Sequence, residues 1–194
     1  MLKDNKKLSI EDGICYFEEV GSTNDEARLM AEAGAEEGTA VVAMAQTKGR
    51  GRPHSRGILG REARRWYSPA GEGLYFSMVL RPHSSSQELS HYVKRAAEVV
   101  IAVVKEKLGV EITPEWPNDL ILADRKVGGI LIEAVSRGKK PSFLILGLGL
   151  NLNQENFPPE LKASAISLYQ KTGNKYDIKE VARMIREAMV NEFC

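Results

Sequence analysis

The chain is poor in cysteine: among 194 residues only Cys15 and Cys194 are present, far apart and without paired spacing. That excludes a zinc ribbon and a disulfide framework and points to a reducing compartment. Net charge is also nearly absent, with 27 Lys and Arg against 26 Asp and Glu. No overall field draws such a chain to nucleic acid or anionic lipid, so any attraction for anions has to be local. The opening "MLKDNKKLSIEDG" lacks the apolar stretch of a signal peptide, and no apolar run reaches the length that spans a bilayer. The chain therefore reads as cytoplasmic and without membrane or nucleic-acid partners. Internal repeats and low-complexity segments are missing too.

What is present is a globular balance, 43% hydrophobic and 27% charged, in a length that suits one domain. "ICYFEEV" (Ile14 to Val20) has strand composition and opens the fold. It runs into "STNDEARLMAEAG", where Thr23 and Glu26 have capping-box spacing and Gly34 a C-terminal stop, so a helix is expected from the Ser22 to Asn24 region. "TAVVAMAQ" (Thr39 to Gln46) and "GLYFSMVLRP" (Gly73 to Pro82) are further strands. Ser85 and Glu88 have the spacing to cap a long helix ending near Gly109, with Leu89, Val93, Ala96, Val100 and Val104 on its buried face. "LILADRKVGGILIEAV" reads as a hairpin turning at Ala123 to Arg125, and "SFLILGLGLNLN" as a buried strand and loop. A last helix is capped by Asp177 and Glu180, with Ile178, Val181, Ile185, Ala188 and Met189 as its stripe. Consecutive strands with few helical crossovers predict an α+β fold, with helices on one face of a mixed β-sheet.

Four polar clusters fall at predicted strand ends. Ser22, Thr23 and Asn24 stand at a strand-to-helix turn, where capping accounts for Thr23 and where short polar side chains with exposed N–H groups also suit a small polar head group. Gln46 leads into "KGRGRPHSRG" (Lys48 to Gly57), a solvated basic loop by default. Its glycines permit close backbone approach, and Arg50 and Arg52 carry forked donors suited to phosphate. "EWPNDLILADRKVGG" places Asn118, Asp119 and Lys126 around a hairpin, where a plain turn and a surface lysine are the bland alternatives. "GLGLNLN" brings small residues and Asn151 together, as core edge or as the floor of a nucleotide pocket. No metal-ligand cluster is apparent.

Together these pieces resemble the catalytic domain of biotin protein ligases, also called biotin–acetyl-CoA-carboxylase ligases. "STN", "QTKGRGR", "RRWYSPAGEGLYFSMVLRP", "WPNDLIL" with "RKVGGILIE", "GLGLNLN" and "AISLYQKTG" follow in that family's order. The resemblance implies a fold like the class II aminoacyl-tRNA synthetases, a mixed sheet backed by helices. It implies ATP-dependent formation of biotinyl-5'-adenylate and transfer of biotin to a lysine of a biotin carboxyl carrier domain, with Mg2+ accompanying ATP. Carried over by motif, Ser22, Thr23, Asn24, Gln46 and Gly129 would bind biotin, and Arg50, Gly51 and Arg52 would close over biotin and the adenylate. Lys126 would contact the carboxylate and α-phosphate. Arg50, Arg52, Trp66, Asn118, Lys126 and Asn151 would bind ATP, and Asp119 would orient the incoming lysine or a metal. Lys126, Arg52 and Asp119 are the expected catalytic residues.

The match has departures. "PHSRGILGREA" (Pro53 to Ala63) separates Arg52 from Arg64, which leaves the roles of Arg56, Arg61 and Arg64 unassigned, and Glu115 stands where the family usually has lysine, which should weaken ATP contacts. The whole of 1–194 is expected to be one catalytic domain without an N-terminal DNA-binding domain or the small C-terminal β-barrel, and hence of the non-repressor type. Homodimerisation through a sheet edge stays open. The alternative is a degenerate or truncated member that binds biotin with little turnover. A lipoate ligase or octanoyl transferase ranks below both, since neither cysteine suits a pocket nucleophile.

Overall fold

A computed structural model describes residues 7–53, 63–82, 89–137 and 140–194, with residues 52–53, 63–64, 136–137 and 140–141 as backbone only. The stretch 54–62, with most of the insert and Arg56 and Arg61, lies outside the described residues. So do the Ser85 and Glu88 pair and the side chains of Arg52 and Arg64.

The chain begins with a hairpin, β1 (Lys7–Glu11) and β2 (Ile14–Val20). Its turn is Asp12-Gly13, both at positive φ, the dipeptide that suits the twist of a two-residue hairpin loop. The strand expected to come first is thus the second. Helix α1 (Thr23–Glu32) then crosses to β3 (Ala40–Gln46), which lies parallel to β2. The basic segment is not a plain loop: β4 (Arg50–Pro53) pairs antiparallel with β5 (Ala63–Arg65) as a separate two-stranded ribbon.

The remaining strands are β6 (Gly73–Leu80), β7 (Thr113–Glu115), β8 (Asp119–Leu122), β9 (Arg125–Arg137) and β10 (Lys140–Asn151). β8 and β9 turn at Ala123-Asp124, again at positive φ, close to the expected place. The main sheet has the order β1-β2-β3-β6-β10-β9-β8-β7 and is antiparallel except for β2 with β3. Helices α2 (Leu89–Leu108), α3 (Leu168–Thr172) and α4 (Ile178–Phe193) complete the chain.

Strand alternation divides the core in two. One face of the sheet carries Leu74, Phe76, Met78 and Leu80 of β6 and Leu144, Leu146, Leu148 and Leu150 of β10 against α2 and α4. Tyr92 of α2 stacks with Phe193 of α4 at 6.0 Å between ring centres. The other face carries Phe17, Val41, Ala43, Val79 and Ile145 against Ala27 and Ala31 of α1. The mixed sheet backed by helices is as expected, but α1 packs on the face opposite α2 and α4. The reason was visible in β6, whose eight residues are all buried because both faces are covered. Of the stripe expected on α2, Ala96, Val100 and Val104 are buried, whereas Leu89 at its start is 43% exposed. Asp177 caps α4 as its spacing predicts, accepting from the N–H groups of Lys179 and Glu180.

Candidate active site

On the α1 face, β9 and β10 switch from large side chains to none. Gly149 pairs with Gly129 across the two strands, and Gly147 pairs with Ser77 of β6. Three glycines on one face leave room there for side chains from other elements: Asn24 packs over Gly147 and Trp66 over Gly149, and beside them opens a cleft. Its lining includes Ser22, Thr23, Gln46, Arg50, Gly51, Trp66, Asn118, Lys126 and Gly129. Nine of the residues expected from sequence, contributed by the α1 start, β3, β4, the segment after β5, the turn before β8, and β9, therefore surround one space.

At one end the polar groups form a connected set. Ser22 occupies the N-cap position in extended conformation without a side-chain cap bond, so Thr23 is the first helical residue rather than the cap. Its hydroxyl is spent differently from the expected capping box. The Thr23 N–H donates to Gln46 Oε1 at 2.8 Å, and Thr23 Oγ1 lies 3.2 Å from the same oxygen. Ser77, fully buried, places Oγ 2.8 Å from Thr23 Oγ1 and 2.6 Å from Asn24 Oδ1. Asn24 Nδ2 donates to Glu133 at 2.7 Å. Proton counting orders the set. Asn24 Oδ1 only accepts, so it takes the single Ser77 proton, and Thr23 gives its own to Ser77 or Gln46. Gln46 Nε2 donates onward to Ser68 Oγ at 3.1 Å.

The other end is charged. Lys126 Nζ lies 2.7 Å from Asp119 Oδ1, which also accepts from Asn118 Nδ2 at 3.0 Å. The ammonium stands 5.3 Å from the centre of the Trp66 ring, within cation–π reach. Arg50 stands instead on the α1 side, beside the polar set: it makes a forked pair with Asp25, both bonds at 2.7 Å, and lies 3.5 Å from Glu133, the partner of Asn24. The hydrogen bonds to Asp25 hold its guanidinium above the usual arginine range despite partial burial. Among the described residues no group of three or more His, Cys, Asp or Glu gathers as a metal-ligand set.

Three expected site residues do not line the cleft. Asn24 packs over Gly147, turned toward Ser77 and Glu133. Asp119 reaches it only through Lys126. Asn151 is 4% exposed, with Nδ2 donating to the Ile166 carbonyl at 3.1 Å and Oδ1 accepting from Gln154 at 3.3 Å, so it pins the chain below the site. Arg52 contributes β4 backbone to the description, and its side chain is outside it. Sequence reading missed Ser77, Ser68, Asp25 and Glu133. Ser77 had a signal: it is the one polar residue in an otherwise apolar β6. No described helix is long and apolar enough to cross a membrane.

Comparison with known proteins agrees with this geometry. The family model described as the Biotin/lipoate A/B protein ligase family matches residues 16–151. The chain is 36% identical over 166 residues to the bifunctional ligase/repressor BirA of Bacillus subtilis, covering 84% of this chain and 48% of that protein. It is 30% identical over 179 residues to the biotin–[acetyl-CoA-carboxylase] ligase of Mycobacterium tuberculosis, covering 87% and 60%. In structure it resembles the biotin protein ligase from Aquifex aeolicus in complex with biotin and ATP, with a TM-score of 0.78, 33% identity, and coverage of 94% of this chain and 71% of that one. The chain spans about half the length of the first of these relatives. With a matching profile over most of its length and a cleft assembled from the matching motifs, this chain belongs to the biotin/lipoate A/B protein ligase family.

Proposed function

We propose that the chain carries the ligase activity of a biotin protein ligase: it activates biotin with ATP as biotinyl-5'-adenylate and transfers the biotinyl group to a lysine of a biotin carboxyl carrier domain. The observation that carries this reading is one cleft lined by the glycines Gly129, Gly147 and Gly149, by the neutral polar groups of Thr23 and Gln46, and by the Lys126 ammonium. A bicyclic ring with a polar edge and a carboxylate-bearing tail matches that set of groups.

In the first step a carboxylate oxygen of biotin attacks the α-phosphorus, and the bond to pyrophosphate breaks. No protein nucleophile is consumed, so positioning and charge supply the catalysis. Ser22, Thr23 and Gln46 hold the ring edge, with Asn24 and Ser77 fixing Thr23. Lys126, oriented by Asp119, meets the carboxylate and α-phosphate. Gly51 and Arg52 in β4 close over the adenylate, and Trp66 and Asn118 flank its nucleoside, with Asn151 supporting that wall. Magnesium would accompany ATP and offset part of the triphosphate charge. In the second step the carrier lysine attacks the acyl carbon and AMP leaves. Asp119, paired with Lys126 at 2.7 Å, is the carboxylate that orients the incoming amine, acting beside Lys126 at the edge of the cleft. The chain works in the cytoplasm, where its two free cysteines, Cys15 and Cys194, stay reduced.

Pyrophosphate release with biotin, ATP and magnesium, followed by addition of a carrier domain, tests the reading. Release and carrier labelling support it. Biotin binding without release favours a binding member with little turnover, for which the exposed Glu115 at the end of β7 is the motivating feature.

A further inference from the structure

Arg50 stands at the mouth of the cleft, yet its charge is already engaged. Both bonds to Asp25 are short, the two carboxylate oxygens face the two terminal nitrogens, and Glu133 lies 3.5 Å behind. Glu133 is itself held by Asn24 at 2.7 Å. A forked pair of this kind fixes orientation as well as distance, and the Arg50 side chain is only 30% exposed. Among the described groups here, Arg50 and Lys126 face three carboxylates: Asp25, Glu133 and Asp119. Arg50 therefore does not offer an unpaired cation to an anionic ligand.

The backbone suggests what the pair does instead. Arg50 lies between Gly49 and Gly51, the residue type with the widest conformational freedom. An anchored side chain between them removes that freedom where Gly51 borders the cleft. We infer that Asp25, supported by Glu133, is a positioning residue that ties β4 to α1 and β9 through Arg50, and so sets how long the bound adenylate is retained. This rests on the biotin ligase reading for the identity of the ligand, not for the tie itself.

The test measures amide hydrogen exchange in β4 of the ligand-free chain, and adenylate release, for Asp25→Asn, Arg50→Gln and the double variant. Asp25→Asn should speed exchange at residues 50–52 and release of biotinyl-5'-adenylate by about tenfold, with a global melting point within about 2 °C of wild type. The double variant should be no worse than either single one, as groups acting through one contact require. Unchanged β4 exchange, unchanged adenylate release, or additive effects in the double variant would overturn the inference. A wild-type chain that forms no adenylate would defeat the ligase reading, while exchange and its non-additivity would still decide whether Asp25 positions β4.

Discussion

The indole of Trp66 lies against the backbone of Gly149. A Cβ placed at Gly149 would stand 2.5 to 2.7 Å from the ring atoms, and one at Gly129 would come within 3.5 Å of the same side chain. Trp66 thus rests on a floor of glycine backbone, and its Nε1 is buried without a hydrogen-bond partner. A buried donor left unpaired is costly, which makes this ring the part of the cleft wall with most to gain from a ligand acceptor.

Gly149→Ala should consequently displace Trp66. The added methyl meets an aromatic ring rather than the end of a flexible chain, so the ring has to leave the floor. In a Trp116→Phe background the remaining emission should shift to longer wavelength, and biotin affinity should fall by at least about tenfold as the cleft wall moves. An unshifted spectrum with normal affinity would show that the floor tolerates a side chain.

The parts of this arrangement that sequence exposed are those in which one residue has one local reason. Asp177 is followed by two N–H groups that need a cap, and the "GLGLNLN" glycines interrupt a run of large apolar residues. Both were legible. Thr23 was read as a cap because Glu26 has the right spacing, but Ser22 takes that position, and the Thr23 hydroxyl turns to Gln46 and Ser77, both distant in sequence. The tie between Arg50 and Asp25 spans 25 positions and could not be inferred from either segment, since a basic loop and an acidic first helical turn each have sufficient local explanations. The Asp12-Gly13 turn is a hairpin signal that the sequence reading, which opened the fold at Ile14, did not take up.

Ser77 joins Thr23 and Asn24 beside the cleft, so Ser77→Ala leaves Asn24 Oδ1 without its proton donor in a fully buried place. The loss should be about 1–3 kcal/mol of stability, together with weaker biotin binding because Thr23 is no longer fixed. Chemical denaturation and biotin titration check the two halves. Full stability in the variant would mean that the contact carries no weight.

Asp177→Ala makes a contrasting case. The carboxylate caps α4 through two N–H groups and lines no part of the cleft. Losing it should lower stability by about 1 kcal/mol while the rate of pyrophosphate release from folded enzyme stays the same. A changed rate would reveal coupling between α4 and the cleft that the packing does not suggest.

High pH should unfold the chain through its buried phenols. Burial is the leading cause that raises Tyr75, Tyr16 and Tyr92 above the ordinary tyrosine range. Below pH about 10 both folded and unfolded chains keep these protons, and the full stability is present. Above it the unfolded chain releases them while the fold retains them, so stability declines as pH rises toward the folded values. Tyr75 donates to the Pro69 carbonyl at 2.9 Å, so Tyr75→Phe loses a hydrogen bond worth about 1 kcal/mol near neutrality. The same variant no longer carries that phenol's proton, and its decline above pH 10 should be shallower by about 1.4 kcal/mol per pH unit. The two stability curves should therefore converge as pH rises. Parallel curves from pH 8 to 11 in urea denaturation would show that Tyr75 ionises as readily in the fold as outside it.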